Sequence, residues 1–145
     1  MKLPDVNIWL ALTLSGHSFH ERVRDWLDAQ SATESIFFCR ATQQSLMRLL
    51  TTRAVLLPYG IAPLTNEKAW AVGEAFLADE RVGFAAEPTG VNQRWRSWAA
   101  TSNTSPKLWM DAWLAAFAYQ SGFQLVTLDK AFTQFQELDA MVIGH

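Results

Sequence analysis

Short apolar runs alternate with stretches of helical spacing along the whole chain, and this alternation constrains the fold more than any other feature. A first strand lies within Lys2 to Val6 and ends at Asp5. Ser18 is placed to cap a helix running to about Gln30, with Val23, Trp26 and Leu27 on one face. Ile36 to Cys39 reads as a second strand, and Thr42 to Thr52 as a helix that buries Leu46, Leu49 and Leu50. Thr65 opens another helix, followed by a strand over Val82 to Ala85 and a helix over Val91 to Ala100. Ser105-Pro106 pairs a capping side chain with a proline suited to the first helical turn. That helix runs to about Gln120 and is closed by Gly122. Gln124 to Leu128 is then a strand, Lys130 to Gln136 a short helix, and Met141 to Ile143 a last strand. Strands that alternate with helices imply an α/β sandwich around a mostly parallel sheet. Ligands bind such sheets beyond the carboxyl ends of the strands, near the point where strand order reverses.

A chain of 145 residues, half of them hydrophobic and 18% charged, can bury the core of a single domain spanning 1–145. No apolar run reaches the roughly eighteen residues that a membrane span needs. Asp5 and Asn7 interrupt the apolar N-terminus, which argues against a secretory signal and for a cytoplasmic protein. Cys39 is the single cysteine, so a disulfide within the chain is excluded, and its apolar setting favours a buried thiol over a nucleophile. The net charge of −2 argues against a protein that coats nucleic acid by charge alone. It leaves room for a nuclease whose acidic site meets phosphates through cations.

Three aspartates fall where the topology would gather them. Asp5 ends the first strand, Asp129 follows the strand Gln124 to Leu128, and Asp111 lies early in the helix after Ser105-Pro106. Carboxylates brought to one sheet edge repel one another unless a cation neutralises them, and hard oxygen donors suit Mg²⁺ or Mn²⁺. Such an ion can activate a water and steady a departing oxygen. Taken singly, each aspartate has a plainer explanation: Asp5 as a turn residue, Asp111 as a helix N-terminal acid, Asp129 as a cap.

Their surroundings carry more information. Leu3-Pro4-Asp5-Val6-Asn7-Ile8-Trp9-Leu10-Ala11-Leu12 resembles the opening of PIN domains. Ser105-Pro106-Lys107-Leu108-Trp109-Met110-Asp111-Ala112-Trp113-Leu114-Ala115-Ala116 resembles the helix bearing their later acidic residue. Leu125-Val126-Thr127-Leu128-Asp129-Lys130-Ala131-Phe132 resembles the strand and turn that hold the last one. The order and distances resemble VapC-type toxins of toxin–antitoxin systems over essentially the whole chain. The resemblance implies a three-layer PIN-like sandwich and a Mg²⁺- or Mn²⁺-dependent endoribonuclease. Asp5, Asp111 and Asp129 would bind the metal, and no covalent enzyme intermediate is needed. It also implies an RNA substrate, a homodimer, and a VapB-like antitoxin whose C-terminal segment occupies the acidic groove.

One position departs from that pattern. VapC-like proteins usually carry a glutamate at the start of their second conserved helix, and here Gln43 stands at its place within Ala41-Thr42-Gln43-Gln44-Ser45. Gln43 is expected to line the site with a carbonyl oxygen in place of a carboxylate, or else to serve as a helix N-terminal residue. Glu87 is a possible compensating carboxylate, with a solvated loop the plainer reading. Asn7 is expected to orient the Asp5 carboxylate or to bond the backbone at the strand-to-helix turn, and Thr127, on the same strand face as Asp129, to help hold the site. Lys107 and Arg48 are candidates for RNA phosphates or for ordinary surface charge. His17 and His20 lack a third soft ligand, and the seven tryptophans recur at helical spacings that favour packing over base stacking. Two competing functions remain open. One is a weakened or inactive PIN domain acting as a binding module; the other is a PIN ribonuclease in RNA processing without an antitoxin.

Overall fold

The computed structural model describes residues 1–144, and within them five strands and seven α-helices alternate along the chain. Strands β1 (Lys2–Pro4), β2 (Ile36–Phe38), β3 (Val82–Phe84), β4 (Gln124–Thr127) and β5 (Ala140–Val142) form one sheet in the order β3-β2-β1-β4-β5. Every neighbouring pair is parallel. From β1 the chain builds outward to β2 and β3, then returns to the other side of β1 for β4 and β5. The order therefore reverses between β1 and β4, two adjacent strands at the centre of the sheet. That is where a parallel sheet opens a crevice at its carboxyl edge.

Side chains on successive strand residues point to opposite faces, so β2 and β4 feed two cores. Ile36, Phe38, Val126 and Leu128 face helices α1 (Val6–Thr13), α2 (His20–Asp28), α3 (Arg40–Leu50) and α5 (Asn66–Ala78). On that side the Trp9 ring stacks on Phe38 with centroids 3.8 Å apart. Leu3 and Leu125 face the other layer, α6 (Val91–Ala99) and α7 (Leu108–Ser121). Helix α7 buries an unbroken run from Leu114 to Ala118 because it lies between the sheet and α6; its alanines let both neighbours approach. The result is the three-layer α/β sandwich that the alternation implied. Among the described residues, no helix is long and apolar enough to cross a membrane.

Several local expectations shift. The first strand stops at Pro4, and Asp5 caps a helix, α1, that the sequence reading lacked. Helix α1 is apolar on nearly all sides, so the stripe that marks a surface helix is missing. Cys39 belongs not to β2 but to the N-terminus of α3, where Thr42 Oγ1 accepts from its backbone N at 3.1 Å. Phe19, not Ser18, precedes α2. Thr65 does cap α5, its hydroxyl accepting from Lys68 N at 3.2 Å. Ser105-Pro106 lies in a turn ahead of α7, whose first residue is Leu108. Gly122 ends α7 at φ +70°, a left-handed conformation that glycine adopts without strain. A short helix α4 (Arg53–Leu56) and a 3₁₀ turn (Leu57–Tyr59) fill the link to α5, which the sequence left unassigned. The predicted Lys130 helix is a 3₁₀ turn over Lys130–Gln134.

Candidate active site

Asp5 stands at the carboxyl end of β1 and Asp129 just beyond β4, so the reversal of strand order brings them together. Thr127, fully buried at the end of β4, joins them. Its hydroxyl donates to Asp5 Oδ2 at 2.9 Å and accepts from Asp129 N at 3.0 Å and from Asn7 Nδ2 at 3.3 Å. Asn7 completes the link through Oδ1, which accepts from Leu128 N at 3.2 Å. Asp5 Oδ1 accepts from Val6 N at 2.7 Å, so both oxygens of this carboxylate have fixed donors. One buried hydroxyl thus sets the spacing of two strand ends and the orientation of one carboxylate. Thr127 bonds the Asp5 carboxylate directly, whereas Asn7 reaches the cluster through Thr127 and the Leu128 backbone.

Asp111 enters from the first turn of α7. Lys107, one turn earlier, puts its Nζ 2.9 Å from Asp129 Oδ2 and 3.7 Å from Asp111 Oδ2. Asp129 also caps its own turn, Oδ1 accepting from Ala131 N at 2.9 Å. For Asp129, capping and membership of the acidic cluster hold together.

The electrostatics follow from the crowding. Asp5 keeps some surface toward the cavity, but protein surrounds the rest of its carboxyl. Burial raises its pKa to about 6; the Thr127 and Val6 hydrogen bonds pull it down, and the charges of Asp111 and Asp129 push it up. Asp111 is also raised, by burial first, with the Lys107 charge opposing and Asp129 adding. Lys107 is held more firmly charged than an ordinary lysine, through its Asp129 hydrogen bond and then the charges of Asp111 and Asp129.

Among the described residues, no group of three or more His, Cys, Asp and Glu side chains is arranged to hold a metal ion as it stands. The donor chemistry nevertheless fits a hard divalent cation. The cluster is all oxygen, its three carboxylates exceed the one ammonium beside them, and the charges of Asp111 and Asp129 raise the cost of ionising Asp5.

A cavity of about 470 Å³ opens over Asp5 and Asp111. Its wall from α3 carries Ala41, Thr42, Ser45, Arg48 and Leu49, and its opposite wall carries Trp95, Trp109, Met110 and Trp113. Gln43 does not line it, which corrects the expectation for that residue. Helical geometry gives the reason: residues 41, 45 and 48 share a face, and Gln43 is turned about 100° or more away from each. Its Oε1 instead accepts from Arg40 Nη1 at 2.5 Å. Glu87 is exposed and does not line the cavity. Arg48 and Lys107 do.

The tryptophan wall was missed in the sequence. Trp95 donates from Nε1 to the Trp109 carbonyl at 2.8 Å, and the two rings meet edge to face at 6.0 Å. Trp109 remains 51% exposed, so it faces the opening rather than a core. Its four-residue spacing from Trp113 signalled a shared helix face, but not that the face would be left open. His17 and His20 direct a ring nitrogen each to Phe19 N and to the Ala11 carbonyl.

The comparisons agree with this geometry. The family model for the PIN domain matches residues 2–138. The chain is 55% identical to Ribonuclease VapC41 of Mycobacterium tuberculosis (strain CDC 1551 / Oshkosh) over 145 residues, 99% of each protein. In fold it is similar to the VapBC2 crystal structure from Rickettsia felis, with a TM-score of 0.71 at 12% identity, covering 97% of each chain. It is also similar to Mycobacterium tuberculosis VapC20, described as a Sarcin-Ricin loop cleaving toxin, with a TM-score of 0.68 at 14% identity over 96% of this chain and 98% of that one. Identities this low speak for the fold, whereas the 55% match speaks for the lineage. The chain belongs to the PIN-domain family and, within it, to the VapC ribonucleases.

Proposed function

We propose that this chain is the endoribonuclease toxin of a VapBC-like toxin–antitoxin pair, hydrolysing phosphodiester bonds of RNA with Mg²⁺ or Mn²⁺. Members of the family generally depend on a divalent metal. The observation that carries the reading is the meeting of Asp5, Asp111 and Asp129 at the reversal of strand order, in a chain 55% identical to a named ribonuclease. Asp5, Asp111 and Asp129 would hold the cation. When bound, it would supply a water of lowered pKa and neutralise charge on the phosphodiester.

The chain's own residues do the rest. Thr127 and Val6 N hold Asp5 in one orientation, so little reorganisation is needed when the carboxylate ionises and binds. Asn7 and Thr127 lock the ends of β1 and β4 at fixed separation. Arg48, on the cavity wall, is placed to meet a phosphate beside the reacting one. The open cavity beside the carboxylates supports single-stranded or loop RNA, whose unstacked bases can be presented there, over a continuous duplex.

The proposed antitoxin is a small VapB-like protein whose C-terminal segment fills this groove. The solved relatives named VapBC complexes make that the natural partner to test. The deciding experiment maps RNA 5′ ends in cells expressing the wild type or Asp5→Asn. Discrete new ends made only by the wild type, and suppressed by co-expressing the protein encoded immediately upstream, support the proposal. Identical maps for the two forms would refute catalysis and leave a binding module.

A further inference from the structure

We propose that the Lys107 ammonium is a tethered stand-in for the divalent cation: it ties Asp111 to Asp129 in the metal-free protein, must withdraw for metal to bind, and so sets the metal affinity of the site. The inference rests on the metal-site reading above. It starts from the position of the ammonium, 2.9 Å from Asp129 Oδ2 and 3.7 Å from Asp111 Oδ2. A single charge there bridges two carboxylates carried by different elements, the role that the bound metal would otherwise take.

Helix stability does not explain this lysine. It sits at the N-terminal cap position of α7, where the exposed backbone N–H groups and the helix dipole disfavour a cation. Asp111 in the same turn suits that dipole, and Lys107 does not. What favours Lys107 there is the acidic cluster, whose charges it partly cancels.

Its exposure makes it a releasable partner. The side chain is 70% exposed, against 19% for Asp111 and 32% for Asp129. The ammonium thus reaches in from solvent while the carboxylates are held by the protein. Ion pairs of this exposure contribute little, so a divalent ion in the same place can displace the lysine. The outcome is a site that stays assembled without metal and binds metal less tightly than its three carboxylates alone would. Once released, the ammonium remains on a residue that lines the same cavity as Arg48.

The test needs no RNA. Mn²⁺ binding to the full chain is measured by calorimetry, or by the paramagnetic resonance of free Mn²⁺, for wild type, Lys107→Met, Lys107→Gln and Lys107→Arg. The neutral variants should bind Mn²⁺ about three- to ten-fold more tightly. Lys107→Arg should bind no more tightly than wild type, and Mn²⁺ should raise the melting temperature most in the neutral variants. The glutamine variant answers the question if the methionine one fails to fold. Neutral variants that bind Mn²⁺ no more tightly than wild type overturn the proposal. Absence of wild-type binding that Asp5→Asn abolishes would overturn the metal site and this proposal together. Tighter binding without RNA cleavage would leave it standing and refute only the ribonuclease function.

Discussion

The two halves of the acidic cluster are built differently. Asp5 is held from both sides, by Val6 N and by a Thr127 hydroxyl that is itself buried and bonded to Asn7 and Asp129. Asp111 and Asp129 are joined through a lysine that is mostly in solvent. The first half is assembled by the sheet, and its burial is opposed by ionisation of Asp5. In the second, Asp129 is anchored at its backbone N by Thr127 and at Oδ1 by Ala131 N, and its link to Asp111 runs through that exposed charge. The fold therefore fixes where the carboxylates stand, while an exposed lysine spans the gap between two of them.

That contrast can be broken by mutation. The largest effect is expected for Asp111→Asn, which should lower RNA cleavage by more than about 100-fold while leaving the melting temperature close to wild type, since its partner is an exposed lysine. Cleavage assays alongside thermal melts check both parts. Thr127→Val should lower cleavage about 10- to 100-fold and also destabilise the fold by about 1–3 kcal/mol, because Asp129 N and Asn7 Nδ2 lose a buried acceptor. Denaturant unfolding reads the second part. Equal stability losses for the two variants would erase the distinction between the buried tie and the exposed one.

The pH dependence follows from Asp5. Its folded pKa of about 6 lies above the ordinary 3.8, so between those values the folded chain binds more protons than the unfolded one. Metal-free stability therefore falls as pH rises through that window, and Asp5→Asn should flatten this slope. Protons and cation compete for the same oxygens, so Mn²⁺ affinity should fall about ten-fold per pH unit below 6. A melting series from pH 4 to pH 7 and binding titrations measure the two trends. Trp109→Ala should raise KM a few-fold with little change in kcat or stability, because the ring is half exposed beside the cavity. The smallest effect is expected for Gln43→Glu, less than about two-fold in cleavage, since the side chain lies off the cavity. A ten-fold gain would mean that α3 presents a different face to the site.

Much of this was legible in the sequence. The alternation of apolar runs and helical stretches carried the layer order, and the contexts of Asp5, Asp111 and Asp129 placed the cluster. Thr127 and Asn7 followed from strand alternation and from closeness to Asp5. Helix α1 was not legible, because burial on nearly every side removes the stripe that betrays a helix. Gln43 was misjudged because its assignment came from alignment with a motif, whereas the face it presents depends on how α3 is rotated against α1 and α5. The tryptophan wall was hidden for a related reason: spacing shows which rings share a face, but only packing shows that α6 and α7 leave it open.

Metal-dependent catalysis at Asp5 is tested by cleavage of a structured RNA by wild type and Asp5→Asn, each stripped with EDTA and then supplied with Mn²⁺. Neither stripped protein should cleave, and Mn²⁺ should restore cleavage in the wild type alone. Cleavage that survives EDTA, or equal restoration in Asp5→Asn, would rule out a metal site at Asp5.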